Sequence, residues 1–166
     1  MTNLLFHNSS AGWITDWQTG KQYLVLDTDD LVHDDNQQVC HNHGGFLPEP
    51  RDEHDNQFLN NLDTDMFTLG MNDGLMEGQW DWESNGSPVT WKTWVHWTDH
   101  GSVPNGGRGK NCALMLRHTQ NYWRGHRTEA WADYSCMSDS FLITQPKSLI
   151  CQRITGRWNF LERRHS

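Results

Sequence analysis

The spacing of apolar residues in the first third of the chain predicts one strand and two helices. Residues 21–26 end in four consecutive apolar residues between a glycine and an acidic segment, which is typical of a short buried strand. Apolar residues then recur at helical spacing up to Cys40 and predict a first helix. Residues 51–62 begin with acidic residues and carry an apolar stripe, so they predict a second amphipathic helix.

Both ends of the first helix have sequence signals. Asp29 or Asp30 is expected to cap its start, because a short carboxylate side chain can accept a hydrogen bond from a free backbone N–H. Gly44 and Gly45 are expected to end it. We therefore predict a helix that ends before this glycine pair and carries Cys40 on its inner face.

From residue 63 onward the pattern changes to turn-forming residues interleaved with tryptophan, and the second half is predicted to be mainly β. Asn85 and Gly86 are expected to form the turn of a hairpin. Residues 98–111 are rich in glycine and almost free of apolar side chains, which predicts a long surface loop of the kind that often carries function. The further strand candidates are residues 113–116, 130–134 and 148–153.

Length and charge narrow the class of protein. A chain of 166 residues without internal repeats is expected to form a single domain, residues 1–166. The 13 Lys and Arg against 21 Asp and Glu give a net charge of −8, which argues against nucleic acid as a partner. The longest apolar runs have four residues, whereas a membrane span needs about 20, so no insertion into a membrane is expected.

Four cysteines, Cys40, Cys112, Cys136 and Cys151, are spaced too widely for a Cys-x-x-Cys metal or redox pair. Their even number predicts two disulfides, and three pairings are possible. Disulfides and two Asn-x-Ser sequons, at Asn8 and Asn85, favour a secreted glycoprotein, although the sequence itself shows no signal peptide.

Several ordered strings resemble the landmarks of a known family, the C-type lectin-like domain. They match the end of its first helix, its second helix, its core strand motif, the segment that follows, and its last two landmarks. The matching strings lie at residues 40–47, 53–59, 69–73, 77–80, 85–90, 131–136 and 150–152. The resemblance implies an α+β fold, with two helices flanking antiparallel sheets and a long loop. It covers about residues 21–153, which leaves 1–20 as an N-terminal extension and 154–166 as a C-terminal tail.

The same resemblance implies one of the three disulfide pairings. Cys40 would pair with Cys151 and tie the first helix to the last strand. Cys112 would pair with Cys136 and hold the long-loop region. Three tryptophans, Trp80, Trp94 and Trp131, match core positions of the family and are expected to be structural.

In calcium-dependent members of this family, oxygen ligands at the tip of the long loop hold a Ca²⁺ that also grips the sugar. The aligned triplet begins with Val103, which offers no ligand, and the Glu position falls on Lys110. Ala132 replaces a further ligand, so that Asn105 and Asp133 remain of five. Ca²⁺ affinity depends on the number and charge of its oxygen ligands, and we therefore expect no bound cofactor. If calcium did bind, its ligands would be Asn105, Asp133, Asn111 and Asp99.

A sugar can also be held without metal, by an aromatic face and by hydrogen bonds to its hydroxyls. The candidate ligand-binding residues lie in or beside the long loop and are Asn105, Asp133, Asn111, Lys110, Arg108, Trp97 and His100. The leading hypothesis is an extracellular lectin that binds a glycan or glycoprotein with weak or absent calcium dependence. Assembly into a homo-oligomer stays open at this point.

Two other binding functions and an enzymatic function compete with the lectin hypothesis. The alternative is a calcium-independent domain that binds a protein ligand through the same loops. Mineral binding would rest on net charge alone. No Gly-x-Ser-x-Gly motif and no paired catalytic carboxylates are evident, so an enzyme is not expected.

Overall fold

The structure, a computed structural model, describes residues 12–29, 32–62, 66–97, 101–102, 104, 106–116, 130–137 and 147–154. Within these ranges the chain forms two α-helices and nine short strands, and the strands make up three antiparallel sheets. This arrangement confirms the predicted α+β fold class. The helices are α1 (His33–Asn42) and α2 (Glu53–Leu62). The strands are β1 (Ile14–Thr15), β2 (Lys21–Asp27), β3 (Phe67–Asn72), β4 (Asp81–Trp82), β5 (His96–Trp97), β6 (Gly101–Ser102), β7 (Cys112–Met115), β8 (Trp131–Tyr134) and β9 (Ser148–Ile154).

The first sheet has the order β1-β2-β9 and joins the two ends of the domain. Strand β2 pairs with β9 along its whole length, with Leu24 opposite Cys151. Tyr23 and Leu24 are both buried, on opposite faces of the sheet, in agreement with the predicted buried strand. Cys151 bonds to Cys40 of α1, so one covalent link holds the helix on this sheet.

Helix α1 begins later than its sequence signals indicated. Its N-cap is Val32, which makes no side-chain cap hydrogen bond, so the predicted cap by Asp29 or Asp30 is wrong. The His33 amide instead donates to the Cys136 carbonyl at 3.1 Å, a contact between segments far apart in sequence that sets where the helix starts.

The predicted end of α1 is confirmed. Gly44 has a φ of +80°, a conformation that favours glycine, and follows the C-cap residue His43. The amides of Gly44 and Gly45 donate to the carbonyls of His41 and Cys40, which satisfies the last turn.

Helix α2 follows its predicted pattern but starts two residues later than residue 51. Asp52 accepts a hydrogen bond from the Asp55 amide at 2.9 Å and so caps the helix. The Arg51 amide bonds to the Asp55 carboxylate and stays outside the helix. Leu59 is fully buried, and Phe58 and Leu62 pack against the same core.

The second sheet, of order β4-β3-β7-β8, carries the tryptophan-rich core. Trp131 of β8 has no exposed surface, and its ring meets Trp82, Trp91 and Trp94 edge-on at centroid distances of 6.2, 5.5 and 5.8 Å. Its indole N–H donates to Asn56 Oδ1 of α2 at 2.8 Å. The core roles expected for Trp80, Trp94 and Trp131 agree with this packing, since Trp94 is partly buried and the other two fully buried.

The expected hairpin turn forms after β4. Gly86 has a φ of +69°, and its amide donates to the Trp82 carbonyl at 2.8 Å. The second arm is reduced to a single bridge between Asp81 and Pro88. Backbone bonds flank this bridge on both sides, from the Trp82 amide to the Ser87 carbonyl at 2.8 Å and from the Val89 amide to the Trp80 carbonyl at 2.9 Å, so the pairing does not need an amide from the proline.

Both disulfides have the pairing that the resemblance implied. Cys40 bonds to Cys151 and Cys112 to Cys136, each with a Cα–Cα distance of 5.2 Å. Neither helix within the described ranges is long and apolar enough to cross a membrane.

Candidate functional site

Strands β7 and β8 form the base of the long loop. Ala113 lies opposite Asp133 in their antiparallel pairing, and Cys112 lies opposite Tyr134. The disulfide from Cys112 to Cys136 closes this base. The tryptophan core under β8 gives Asp133 a rigid support, because Trp131 is fixed by ring contacts and by its bond to Asn56.

The described parts of the loop contain two ordered pieces. Strands β5 and β6 form a small antiparallel pair at the start of the loop. Further along, Gly107–Gly109 form a single 3-10 turn, closed by a bond from the Lys110 amide to the Gly107 carbonyl at 3.0 Å. Gly107 has a φ of +50°, which explains why glycine is favoured there. The predicted long loop therefore contains local structure of its own.

The central contact of the site joins Asp133 to the loop backbone. The Gly106 amide donates to Asp133 Oδ2 at 2.8 Å. Asp133 is only 6% exposed, so this bond is shielded from water. A side chain of β8 thus holds the start of the 3-10 turn against the sheet.

Gly106 also makes room for a neighbouring side chain. A Cβ atom at this residue would lie 2.1 Å from Lys110 Cδ and 2.4 Å from Lys110 Cβ. The φ of Gly106 is −89°, which any residue can adopt, so space and not backbone conformation explains the glycine. The aliphatic stem of Lys110 lies directly over the Gly106 backbone.

The predicted site residues in this segment face different surroundings. Arg108, in the middle of the 3-10 turn, and Lys110 are both exposed. Asn111 is partly buried, and its backbone carbonyl accepts a bond from the Asp73 amide at 3.2 Å. The structure brings Arg108, Lys110, Asn111 and Asp133 together around one turn.

The other predicted site residues lie outside the described part of the structure. They are Asn105, His100 and Asp99, together with the side chain of Trp97, whose backbone belongs to β5. Their roles stay predictions.

Sequence reasoning missed two features of this site. One is Gly106, whose position beside two further glycines hides its separate steric role. The other is the turn that follows β3, where Leu75 and Met76 are 92% and 62% exposed. The sequence held one signal for this turn. It places two adjacent apolar residues inside a segment that is otherwise rich in glycine and acidic residues.

The described residues alone do not make up a calcium site of the family type. Asp133 already gives one carboxylate oxygen to the Gly106 amide, and the cationic Lys110 packs in the same turn. Among the described residues, no cluster of three or more His, Cys, Asp or Glu side chains could hold a metal ion. Ca²⁺ needs about six to eight oxygen ligands, which these side chains do not supply.

Comparisons with known protein sequences point to one family. The family model of the lectin C-type domain matches residues 31–152. A homolog of C-type lectin domain family 3 member A from Xenopus laevis is 30% identical over 122 residues, which are 70% of this chain. The chain spans 59% of that relative's length.

Solved structures with the same fold include both a carbohydrate-recognition domain and an antifreeze protein. The cow C-type carbohydrate-recognition domain of CD23 superposes with a TM-score of 0.66 at 21% identity, covering 89% of this chain and 97% of that one. A calcium-independent type II antifreeze protein gives a TM-score of 0.67 at 19% identity, covering 89% and 95%. Because the family model spans well over half of its residues, this chain belongs to the C-type lectin family.

Proposed function

We propose that this protein is an extracellular binding module, not an enzyme, that recognises carbohydrate through its long-loop face without requiring calcium. The observation that carries this proposal is the hydrogen bond from the Gly106 amide to Asp133. In calcium-dependent members, oxygen ligands at the tip of the long loop hold the metal at the place where the sugar is gripped. Here a buried bond within the chain supports the loop, and no cation is needed in that contact.

The chemistry of the face suits sugar hydroxyls. Arg108 and Lys110 are exposed donors on one turn. Asn105 is predicted to add an amide that both donates and accepts, and Trp97 an aromatic surface for the apolar face of a sugar ring. A shallow set of such groups gives weak single-site binding, so several copies on one assembly would raise the avidity.

Extracellular localisation is part of the proposal. Two disulfides, one closing a loop of 111 residues, are the bonds of an oxidising compartment. Asn85 is exposed on its turn, where it could accept an N-linked glycan, although its side chain now binds Ser87.

The test is a glycan-array screen of the oxidised protein in excess EDTA and in millimolar Ca²⁺. We expect the same glycans to bind under both conditions. The variant Gly106→Ala should lose most of the binding, because its Cβ would displace Lys110 from the turn and disturb the bond to Asp133.

Gly109→Ala is the matched control for this variant. It lies in the same turn, and a Cβ there meets no atom within 4 Å, so its binding should remain close to that of the original protein. Binding that appears only with calcium would contradict the metal-free site. An array without any bound glycan, together with capture of a purified protein ligand through the same turn, would favour the protein-binding alternative.

A further inference from the structure

A second surface adjoins the long-loop turn through direct contacts. The Asp73 amide bonds to the Asn111 carbonyl, and a Cβ on Gly74 would lie 4.0 Å from the Asn111 side-chain nitrogen. Asn111 follows Lys110 directly, and Leu75 follows Gly74. The turn after β3 and the end of the long loop therefore lie side by side.

This combined surface has an unusual distribution of charge. The segment 106–111 contains Arg108 and Lys110 and no acidic residue, in a chain whose net charge is −8. Asp133, whose carboxylate accepts from the Gly106 amide, is 6% exposed and turned inward. Within the described residues, Arg108 forms no ion pair.

Both chain neighbours of Arg108 are glycines. Gly107 and Gly109 flank it, so neither neighbour adds a side chain. Its guanidinium offers donors in a fixed planar fork, which matches the two oxygens of a carboxylate or sulfate group. The neighbouring Leu75 and Met76, highly exposed, add an apolar rim for the non-polar face of a ligand.

We propose that the glycan bound at this face is acidic, with its carboxylate or sulfate group held by Arg108 and Lys110 and its apolar face resting on Leu75 and Met76. This inference rests on the proposed function and specifies the substrate class of the same site. A neutral sugar would leave the guanidinium without a charged acceptor.

Glu77 opposes the proposed interaction. It is exposed on the same turn as Leu75 and Met76, and the acidic surface of the whole chain repels anions at long range. Recognition must therefore come from short-range contacts, and binding should weaken as salt rises. Removing the Glu77 charge should strengthen the binding of acidic glycans and leave neutral ones unchanged.

The experiment measures the affinity of the oxidised protein for four immobilised polysaccharides. Heparin carries sulfate and carboxylate, hyaluronan carries carboxylate alone, and dextran and mannan are neutral. We expect heparin or hyaluronan to bind more tightly than both neutral polymers, with binding that falls between 0.05 and 0.5 M salt. The comparison of heparin with hyaluronan identifies which anionic group is preferred.

Variants separate a specific site from general charge. Arg108→Gln should weaken acidic-polymer binding about two- to fivefold, the effect of one exposed ionic contact, and Glu77→Gln should strengthen it by a similar factor. Lys92→Gln removes one exposed positive charge outside the turn and is the matched control, expected to change little. Unchanged thermal melts would show that all three variants fold.

The outcomes distinguish this inference from the function on which it rests. Equal affinity for acidic and neutral polymers, or equal losses in Arg108→Gln and Lys92→Gln, would overturn the acidic-glycan assignment while leaving lectin activity intact. Failure to bind any saccharide, here and on the glycan array, would overturn both.

Discussion

Two regions of the molecule satisfy their buried carboxylates in different ways. The first is the half built on the β1-β2-β9 sheet, and the second is the long-loop region. In the first, side chains from distant segments take part beside backbone amides, which are those of Arg51 at Asp55 and Gln18 at Asp16. Asp55 has no exposed surface and accepts from Lys21 Nζ, and Asp16 lies 2.7 Å from His54 Nε2. In the long-loop region, the buried carboxylate of Asp133 accepts from a backbone amide.

A similar side-chain network holds α1. His33 Nε2 lies 2.5 Å from Glu83 Oε1, and Gln37 and Asn72 donate to the same carboxylate at 2.9 Å. Three elements therefore meet at Glu83, and each contact depends on the identity of a side chain.

The difference bears on how function can change on this fold. A network of side chains fails when one member is replaced, because the remaining partners are left buried and unsatisfied. A turn held through its backbone leaves its outward side chains, such as Arg108, free of a structural task. We infer that the first region supplies stability and the second supplies recognition.

Removing the disulfides tests this comparison with the largest expected effects. Replacing Cys40 and Cys151 by serine opens a loop of 111 residues and should lower the free energy of unfolding by about 5 kcal/mol. The same change at Cys112 and Cys136 opens a loop of 24 residues and should cost about 3 kcal/mol. Urea unfolding of the two double variants measures both losses of unfolding free energy.

The glycan array adds a functional readout to the same variants. The Cys112 and Cys136 pair should lose binding while the rest of the fold persists, since this disulfide closes the base of the loop. A larger stability loss for this pair than for Cys40 and Cys151 would contradict the assignment of stability to the first region.

Much of this fold could be predicted from sequence because the signals were local or came as ordered motifs. Strand β2, helix α2 and the Gly44 stop follow from nearby residues alone. The start of α1 could not be predicted in this way, since it depends on the carbonyl of Cys136, about a hundred residues away. The disulfide pairing required the family resemblance, because spacing left three choices open.

The candidate site was less accessible to sequence reasoning. The family's metal-ligand pattern drew attention to two residues. Lys110 departs from it, because it replaces a glutamate ligand, and Asp133 matches it. The pattern did not indicate that Asp133 bonds to the Gly106 amide, because backbone donors leave no mark on residue identity. The contact of Asn111 with Asp73 likewise joins two segments whose proximity only the fold reveals.

A single substitution in the first region should have the next largest effect. Asp55→Asn removes the charge that pairs with Lys21, whose side chain is only 18% exposed, and should lower the free energy of unfolding by about 3 kcal/mol. Asp34→Asn, at an exposed position in the first turn of α1, is the control and should change stability little. Chemical denaturation measures both, and equal effects would show that the buried pair does not stabilise the fold.

Tyr23→Phe should have the smallest effect and the opposite sign. Within the described residues, the buried hydroxyl of Tyr23 makes no hydrogen bond. Phenylalanine keeps the ring that packs against Phe58 at a centroid distance of 5.4 Å and removes the unsatisfied group. We expect the free energy of unfolding at pH 7 to stay equal or to rise by up to about 1 kcal/mol.

The same variant should change the pH dependence of stability. Burial, followed by the negative charges of Asp55, Asp16 and Asp52, raises the pKa of Tyr23 well above its ordinary value. Above about pH 10 the unfolded phenol loses its proton while the folded one keeps it. Stability should therefore fall by about 1.4 kcal/mol per pH unit from this residue, a loss that Tyr23→Phe lacks. Denaturant melts between pH 8 and 11 measure it, and parallel curves for the two proteins would show that Tyr23 ionises equally well in the folded state.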